Sequence, residues 1–143
     1  MPRIKIELPA TFIFQTEIKI RISDVNYGGH VGNDAILSLA HEARLQFLKQ
    51  YDFSEKDFGG AGLIMADAAI EFRTELFYGD TVTVSIGISA FTRMGFDIFY
   101  LMEKIADEKR EVVAVVKTGM ICYDYAARKV TSVPAAALDK FNS

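Results

Sequence analysis

Hydrophobic and charged side chains alternate near the start of the chain. Between residues 12 and 22, one face carries Phe12, Phe14, Ile18, Ile20 and Ile22, and the other face carries Glu17, Lys19 and Arg21. This period of two predicts a half-buried strand. The alternation stops at Ser23, and residues 23–33 hold three glycines and several turn-forming side chains. We therefore expect a loop over residues 23–33.

A long helix is predicted after this loop. Residues 34–50 contain no glycine or proline, Asn33 suits the N-cap position, and Asp34 suits the positive end of the helix dipole. One broad arc of this helix carries the apolar side chains of Ile36, Leu37, Leu39, Ala40, Ala43, Phe47 and Leu48. Arg44 falls inside the arc, where its long stem would let the charge reach water. We expect the helix to end near Tyr51.

The rest of the chain predicts four more strands and a short terminal helix. The strand patterns cover residues 70–76, 82–88, 96–105 and 111–124, and the helix covers residues 135–141. Short turns between consecutive long strands demand antiparallel pairing, so we expect these four strands to form a meander. The element order predicts an α+β fold, β-α-β-β-β-β. A curled five-stranded antiparallel sheet would wrap one long helix in a single domain, residues 1–143.

Composition narrows the class of protein. The 143 residues include 16 basic and 19 acidic side chains, and the net charge of −3 argues against a nucleic-acid partner. The lone cysteine, Cys122, cannot close an internal disulfide, and two histidines are too few to suggest a metal site. No signal-peptide pattern, membrane-length apolar run or phosphate-binding glycine loop is present. We therefore expect a cytoplasmic protein with no cofactor and no membrane association.

Candidate chemistry concentrates where the loop meets the helix. Unpaired backbone amides at a helix start favour developing negative charge. Asp24, Asn26, His30 and Asp34 lie within a few residues of those amides. A carbonyl held there would have its oxyanion stabilised, and a neighbouring carboxylate or histidine could act as nucleophile or base.

Two short motifs add a family resemblance. The segment SDVNYGGHVGN at residues 23–33, followed by HEAR at residues 41–44, resembles the signature of hotdog-fold acyl thioesterases of the 4-hydroxybenzoyl-CoA thioesterase type. Residues 71–82 resemble the second strand of that family and its Gly-Asp turn. The resemblance implies a hotdog fold that hydrolyses an acyl-CoA or acyl-carrier-protein thioester. It also implies a homodimer or homotetramer that works without a cofactor.

The same resemblance implies roles for individual residues. The catalytic aspartate of the family aligns with Asn26, an amide that can orient a water molecule or the thioester oxygen but cannot act as a base. Glu42 or Asp24 would then activate the water, Glu42 because a second hotdog branch carries its catalytic glutamate on the helix. His30 would position the reacting groups. The thioester would be held by Gly29, Val31, Gly32, Asn33 and Asp34, although Gly32 replaces the first of the family's paired asparagines.

Two other interpretations stay open at this point. An acyl-thioester dehydratase would also use a loop histidine and a helix glutamate, which His30 and Glu42 could supply. A non-catalytic protein that binds acyl thioesters would be consistent with the amide of Asn26.

Overall fold

One long helix lies at the centre of the fold, and an antiparallel sheet wraps it. The computed structural model describes residues 3–141, so the two residues at each end of the predicted domain lie outside the described residues. The helices are α1 (Asn33–Gln50) and α2 (Ala135–Phe141), and a short 3-10 turn spans Ile22–Asp24. The strands are β1 (Phe14–Lys19), β2 (Gly62–Phe72), β3 (Thr81–Ser89), β4 (Gly95–Ala106), β5 (Lys109–Asp124) and β6 (Lys129–Val130). The predicted α+β class, with one long wrapped helix, is confirmed.

The order of strands across the sheet differs from the predicted meander. The strands lie in the order β1-β3-β4-β5-β2, and the two-residue β6 pairs with β5 as a sixth strand that the sequence analysis missed. Strands β3, β4 and β5 form a meander as expected, whereas β2 pairs with β5. The predicted pairing of β2 with β3 is therefore wrong. β1 and β2 are the two edge strands.

Residues 73–80, which we call the crossover, connect β2 at one edge of the sheet to β3 near the other. Leu76 is 1% exposed, and its carbonyl accepts a hydrogen bond from the Val31 N–H at 2.8 Å. Phe77 forms an isolated β-bridge with His30. With Leu76 buried and bonded to Val31, the crossover runs past the start of α1. The chain therefore does not form a hairpin between β2 and β3.

Strand β2 also begins earlier than predicted. It spans Gly62–Phe72 and carries a bulge between Met65 and Asp67. The middle of the strand is exposed over four consecutive residues, so its side chains show no alternation that a sequence pattern could detect. The Asp67 carboxylate accepts hydrogen bonds from the Gly119 N–H at 3.0 Å and from Lys117 Nζ at 2.9 Å. These bonds fasten the bulge to β5.

The predicted apolar arc of α1 packs against the sheet. Its buried apolar residues are Ile36, Leu39, Ala40, Ala43, Phe47 and Leu48, and Tyr51 forms the C-cap as expected. The N-cap, however, is Gly32, and Asn33 is the first helical residue. A Cβ atom at position 32 would lie 2.8 Å from Asp34 Oδ1, so the helix start has room for a glycine but little for a capping side chain.

Arg44 is buried in the core and does not extend to water as the sequence analysis expected. Its side chain is 6% exposed, and its Nε donates to the Glu55 carboxylate at 3.1 Å. Its Nη1 donates to the Tyr100 hydroxyl at 3.0 Å, and that hydroxyl shares a 2.7 Å hydrogen bond with Thr118 Oγ1. Burial raises the pKa of the Tyr100 phenol. These partners allow a charged side chain to occupy the apolar arc.

The segment before β1 crosses the outer face of the sheet. The Ile6 N–H donates to the Glu71 carboxylate of β2 at 3.2 Å, and Pro9 packs against Gly87 of β3. Two outward-facing residues, Phe99 and Val115, are only 8% and 3% exposed. The N-terminal segment therefore covers part of the outer face. Within the described residues, no helix is long and apolar enough to cross a membrane.

Candidate active site

The loop between the 3-10 turn and α1 folds back on itself as a small hairpin. Val25 and Val31 form an antiparallel bridge, and the Asn26 N–H donates to the His30 carbonyl at 3.0 Å. The Gly29 N–H donates to the Asn26 carbonyl at 3.1 Å, and Gly29 has a φ of 82°, a conformation that favours glycine. The hairpin delivers the chain directly to the start of α1.

The start of α1 presents backbone N–H groups to this hairpin. The Gly32 carbonyl accepts hydrogen bonds from the N–H groups of Ala35 and Ile36, at 3.1 and 3.3 Å. The N–H groups of Asn33 and Asp34 come earlier and have no carbonyl partner inside the helix, as at any helix start. Such amides can stabilise an oxyanion, and the helix dipole adds to their effect.

A cavity of about 480 Å³ opens between the hairpin and the helix start, and we call it the loop cavity. Its lining consists of Ser23, Asp24, Val25, Asn26, Tyr27, Gly32, Asp34 and Ala35. The structure thus brings four of the predicted site residues together: Asp24, Asn26, Gly32 and Asp34. The volume lies in the range of small-molecule sites, roughly 300–1,000 Å³.

Asp24 is held firmly at one wall of the loop cavity. Its carboxylate accepts a hydrogen bond from the Arg21 N–H at 2.8 Å and lies 3.7 Å from Arg21 Nε. The Asp24 side chain is 10% exposed. These contacts close the 3-10 turn, so part of the hydrogen-bonding capacity of Asp24 serves the loop itself.

Asn26 turns a hydrogen-bond donor towards Gly32. Its Oδ1 accepts a hydrogen bond from the Gly28 N–H at 2.9 Å, which fixes the orientation of the amide. Its Nδ2 lies 3.5 Å from the position that a Cβ atom on Gly32 would occupy. Asn26 can therefore donate to a water molecule or to a carbonyl oxygen in the loop cavity.

Glu42 lies two turns into α1 and outside the loop cavity. It lines a separate cavity of about 300 Å³, which it shares with Asp24 and Ser38. Gln46 Nε2 donates to the Glu42 carboxylate at 2.6 Å. The structure therefore groups Glu42 with Asp24 but not with Asn26 or His30.

His30 and Asn33 line a third cavity, of about 210 Å³, beside the crossover. His30 Nε2 lies 3.9 Å from the Glu75 carboxylate, and the imidazole meets the Phe77 ring edge-on with 6.5 Å between centroids. Val31 is 8% exposed and belongs to the core. The crossover side of the helix start thus holds His30 and Asn33, while Val31 anchors the hairpin.

Residues 20–141 match the family described as the thioesterase-like superfamily. The chain belongs to that superfamily. The resemblance inferred from the two sequence motifs is therefore confirmed. Because the match starts before the hairpin and ends in α2, it covers every predicted site residue.

Several solved structures have the same fold as this superfamily member. A thioesterase superfamily protein from Jannaschia sp. CCS1 is 18% identical, with a TM-score of 0.81 over 94% of this chain and 84% of that one. A 1,4-dihydroxy-2-naphthoyl-CoA thioesterase from Synechocystis is 22% identical, with a TM-score of 0.79 over 91% and 96%. A 4-hydroxybenzoyl-CoA thioesterase with an Asp-to-Asn substitution, solved with 4-hydroxybenzoyl-CoA, is 14% identical, with a TM-score of 0.79 over 90% and 97%. These likenesses confirm the hotdog fold. A comparison with curated protein sequences found no match.

Sequence reasoning missed the parts of this thioesterase-like site that come from distant segments. Glu75 and Phe77 of the crossover contact His30 although they lie far from it along the chain. A fourth cavity, of about 310 Å³, runs between α1 and β2 from Asp34 to Met65. No local motif marks either feature, because both depend on how β2 is placed. Among residues 3–141, no group of three His, Cys, Asp or Glu side chains is arranged to hold a metal ion.

Proposed function

We propose that the protein hydrolyses acyl-CoA or acyl-carrier-protein thioesters in the loop cavity. One observation carries the proposal: Gly32, Asp34 and Ala35 of the helix start line the loop cavity, in a chain of the thioesterase-like superfamily. A thioester carbonyl placed against the helix-start amides would be polarised for attack by water. We place this activity in the cytoplasm, as the composition predicts.

The reaction follows from this placement of the carbonyl. A water molecule attacks the carbonyl carbon, and the oxyanion that forms is stabilised by the helix-start amides. Asn26 Nδ2 donates a hydrogen bond that orients the water or the carbonyl oxygen. The C–S bond then breaks, which releases a free acid and a thiol. A carboxylate must accept the proton of the water, and Asp24 and Glu42 are the carboxylates for which the sequence predicts this role.

Thiol release from a panel of acyl-CoAs tests the proposal. The panel includes aryl and short-chain acyl groups, because two of the structural neighbours are named as thioesterases for aryl-CoA thioesters. The same acyl groups on a carrier protein distinguish the two thiol carriers. The only cysteine, Cys122, is fully buried and burial raises the pKa of its thiol to about 11, so it will not react with the thiol-detecting reagent. We expect release well above the spontaneous rate for at least one thioester.

Asn26 favours a second candidate function, a non-catalytic protein that binds acyl thioesters. An amide at this position can bind a carbonyl but cannot accept the proton of a water molecule. Tight binding of acyl-CoA without thiol release would support this function and contradict hydrolysis. For a dehydratase, His30 and Glu42 would have to act on one substrate, yet they line separate cavities.

A further inference from the structure

We infer that the carboxylate of Asp34 is the general base that activates water in the loop cavity, in place of the carboxylate that Asn26 lacks. The inference rests on the proposed thioester hydrolysis and names the residue that accepts the proton. The family resemblance treats Asp34 as a residue that holds the thioester, and the local sequence pattern counts it only among several polar groups near the helix start.

The geometry over Gly32 carries the inference. A Cβ atom on Gly32 would lie 2.8 Å from Asp34 Oδ1 and 3.5 Å from Asn26 Nδ2. The acceptor of Asp34 and the donor of Asn26 therefore both lie beside Gly32, and no side chain at position 32 stands between them. A water molecule in the loop cavity that contacts both groups can donate to the carboxylate and accept from the amide, which directs an oxygen lone pair for attack.

Asp34 is also the carboxylate in the loop cavity with its hydrogen-bonding capacity available. Within residues 3–141, the Asp34 carboxylate makes no hydrogen bond or ion pair, whereas the Asp24 carboxylate accepts from the Arg21 N–H. The Glu42 carboxylate accepts from Gln46 Nε2 and lines a different cavity. A general base must reach the proton that it removes, either directly or through one water molecule.

The proton can be followed through the whole reaction. Asp34 accepts a proton from the water as the water oxygen bonds to the carbonyl carbon. The electron pair of the carbonyl moves onto its oxygen, which faces the helix-start amides. When this tetrahedral intermediate collapses, the C–S bond breaks and the protonated Asp34 returns its proton to the leaving thiolate. Asp34 ends the cycle ionised, and the products are the free acid and the thiol.

Thiol release by a set of variants tests the inference. We expect Asp34→Asn to lower kcat by about 10²-fold or more with little change in KM or in the unfolding midpoint. Gly32→Ala keeps the carboxylate but pushes it from its position, so kcat should fall without loss of folding. When Gly32→Ala is added to Asp34→Asn, kcat should fall little below that of Asp34→Asn alone. The matched control is Asp139→Asn, which removes an exposed carboxylate from α2 and should leave kcat unchanged.

A double variant moves the carboxylate across the cavity. In the double variant Asn26→Asp with Asp34→Asn, a base stands again beside the same water position, so kcat should recover at least tenfold over Asp34→Asn. The acid limb of the pH profile should be lost in Asp34→Asn and return in the double variant. In one contradicting result, the wild type releases thiol while Asp34→Asn leaves kcat unchanged, and in another, kcat falls only in Glu42→Gln or Asp24→Asn. Either result overturns the assignment of Asp34 as the base but leaves the proposed thioester hydrolysis standing. No release by the wild type overturns the proposed function together with the inference.

Discussion

The hydroxyl of Tyr100 connects three elements through single hydrogen bonds. It accepts from Arg44 of α1 and shares a hydrogen bond with Thr118 of β5, while Tyr100 itself belongs to β4. All three side chains are buried. A buried polar group that loses its partner costs the full desolvation of that group, about 1–3 kcal/mol. The effect of a substitution here should therefore depend on whether the partner is also removed.

Replacement of Tyr100 by phenylalanine tests this dependence. We expect Tyr100→Phe to lower the free energy of unfolding by about 1–3 kcal/mol, because Arg44 and Thr118 lose a partner while the ring stays in place. Tyr100→Phe combined with Thr118→Val should cost less than the sum of the two single changes, since both buried hydroxyls are then absent. Denaturant unfolding measures all three variants. Additive losses would contradict a coupled network.

At the scale of elements, the bulge in β2 owes its position to a side chain on the outer face. The Asp67 carboxylate bonds Lys117 Nζ and the Gly119 N–H, and a Cβ atom on Gly119 would collide with it. The hydrogen bond from Lys117, with the charge of Lys117 and the Gly119 N–H, holds the pKa of Asp67 below its usual 3.8. The folded state therefore favours ionised Asp67.

This lowered pKa makes the contribution of Asp67 to stability depend on pH. The folded pKa lies below the unfolded one, so the contribution is present above the usual value of 3.8 and is lost as the pH falls through the lowered value. We expect Asp67→Asn to cost about 0.2–1 kcal/mol at neutral pH, the range for exposed ion pairs, and nothing at strongly acid pH. Unfolding midpoints from pH 7 to pH 2 measure the difference. A difference that stays constant across this range would contradict the prediction.

The elements that the sequence predicted well are those with a strong local period. The apolar arc of α1 follows from burial on one face, which a pattern records directly. The alternation in the sequence of β3 marks the side chains that face the core, Val82, Val84 and Ile86, although the other face of this strand is buried as well. The candidate site was also predictable from local sequence, because Asp24, Asn26 and Asp34 lie within one short segment. The course of β2 was not predictable, because its middle is exposed and its partner β5 lies far along the chain. The burial of Arg44 also depends on partners that no local pattern contains.

At the scale of the whole molecule, β2 is a long edge strand whose outer edge has no neighbouring strand among the described residues. β2 is 11 residues long and exposes Met65 and Phe72, which are 42% and 51% accessible. Long unpaired edge strands promote aggregation unless they are covered. The N-terminal segment already covers part of the outer face of the sheet, so we propose that two protomers join β2 edge to edge into one continuous sheet.

Light scattering and one edge substitution test this assembly. We expect the wild type to be at least a dimer at micromolar concentration. Ala68→Glu places like charges on two adjoining edges and should shift the protein towards the monomer. Ala135→Glu adds the same charge to exposed α2 and should leave the assembly intact. A monomeric wild type would contradict the proposal.

The hydrogen bond between Tyr100 and Thr118 also bears on how the sheet reaches a single register during folding. β5 is 16 residues long and has an apolar run at Val113–Val116, so sliding it past β4 by two residues would keep apolar side chains facing the helix. Burial of apolar surface alone distinguishes such misaligned states poorly. The slide would carry Thr118 about 7 Å along β4, at roughly 3.3 Å per residue. It would leave buried polar groups of Tyr100 and Arg44 without their hydrogen-bond partners. A polar contact that contributes modestly to stability can thus decide which of several equally apolar pairings persists.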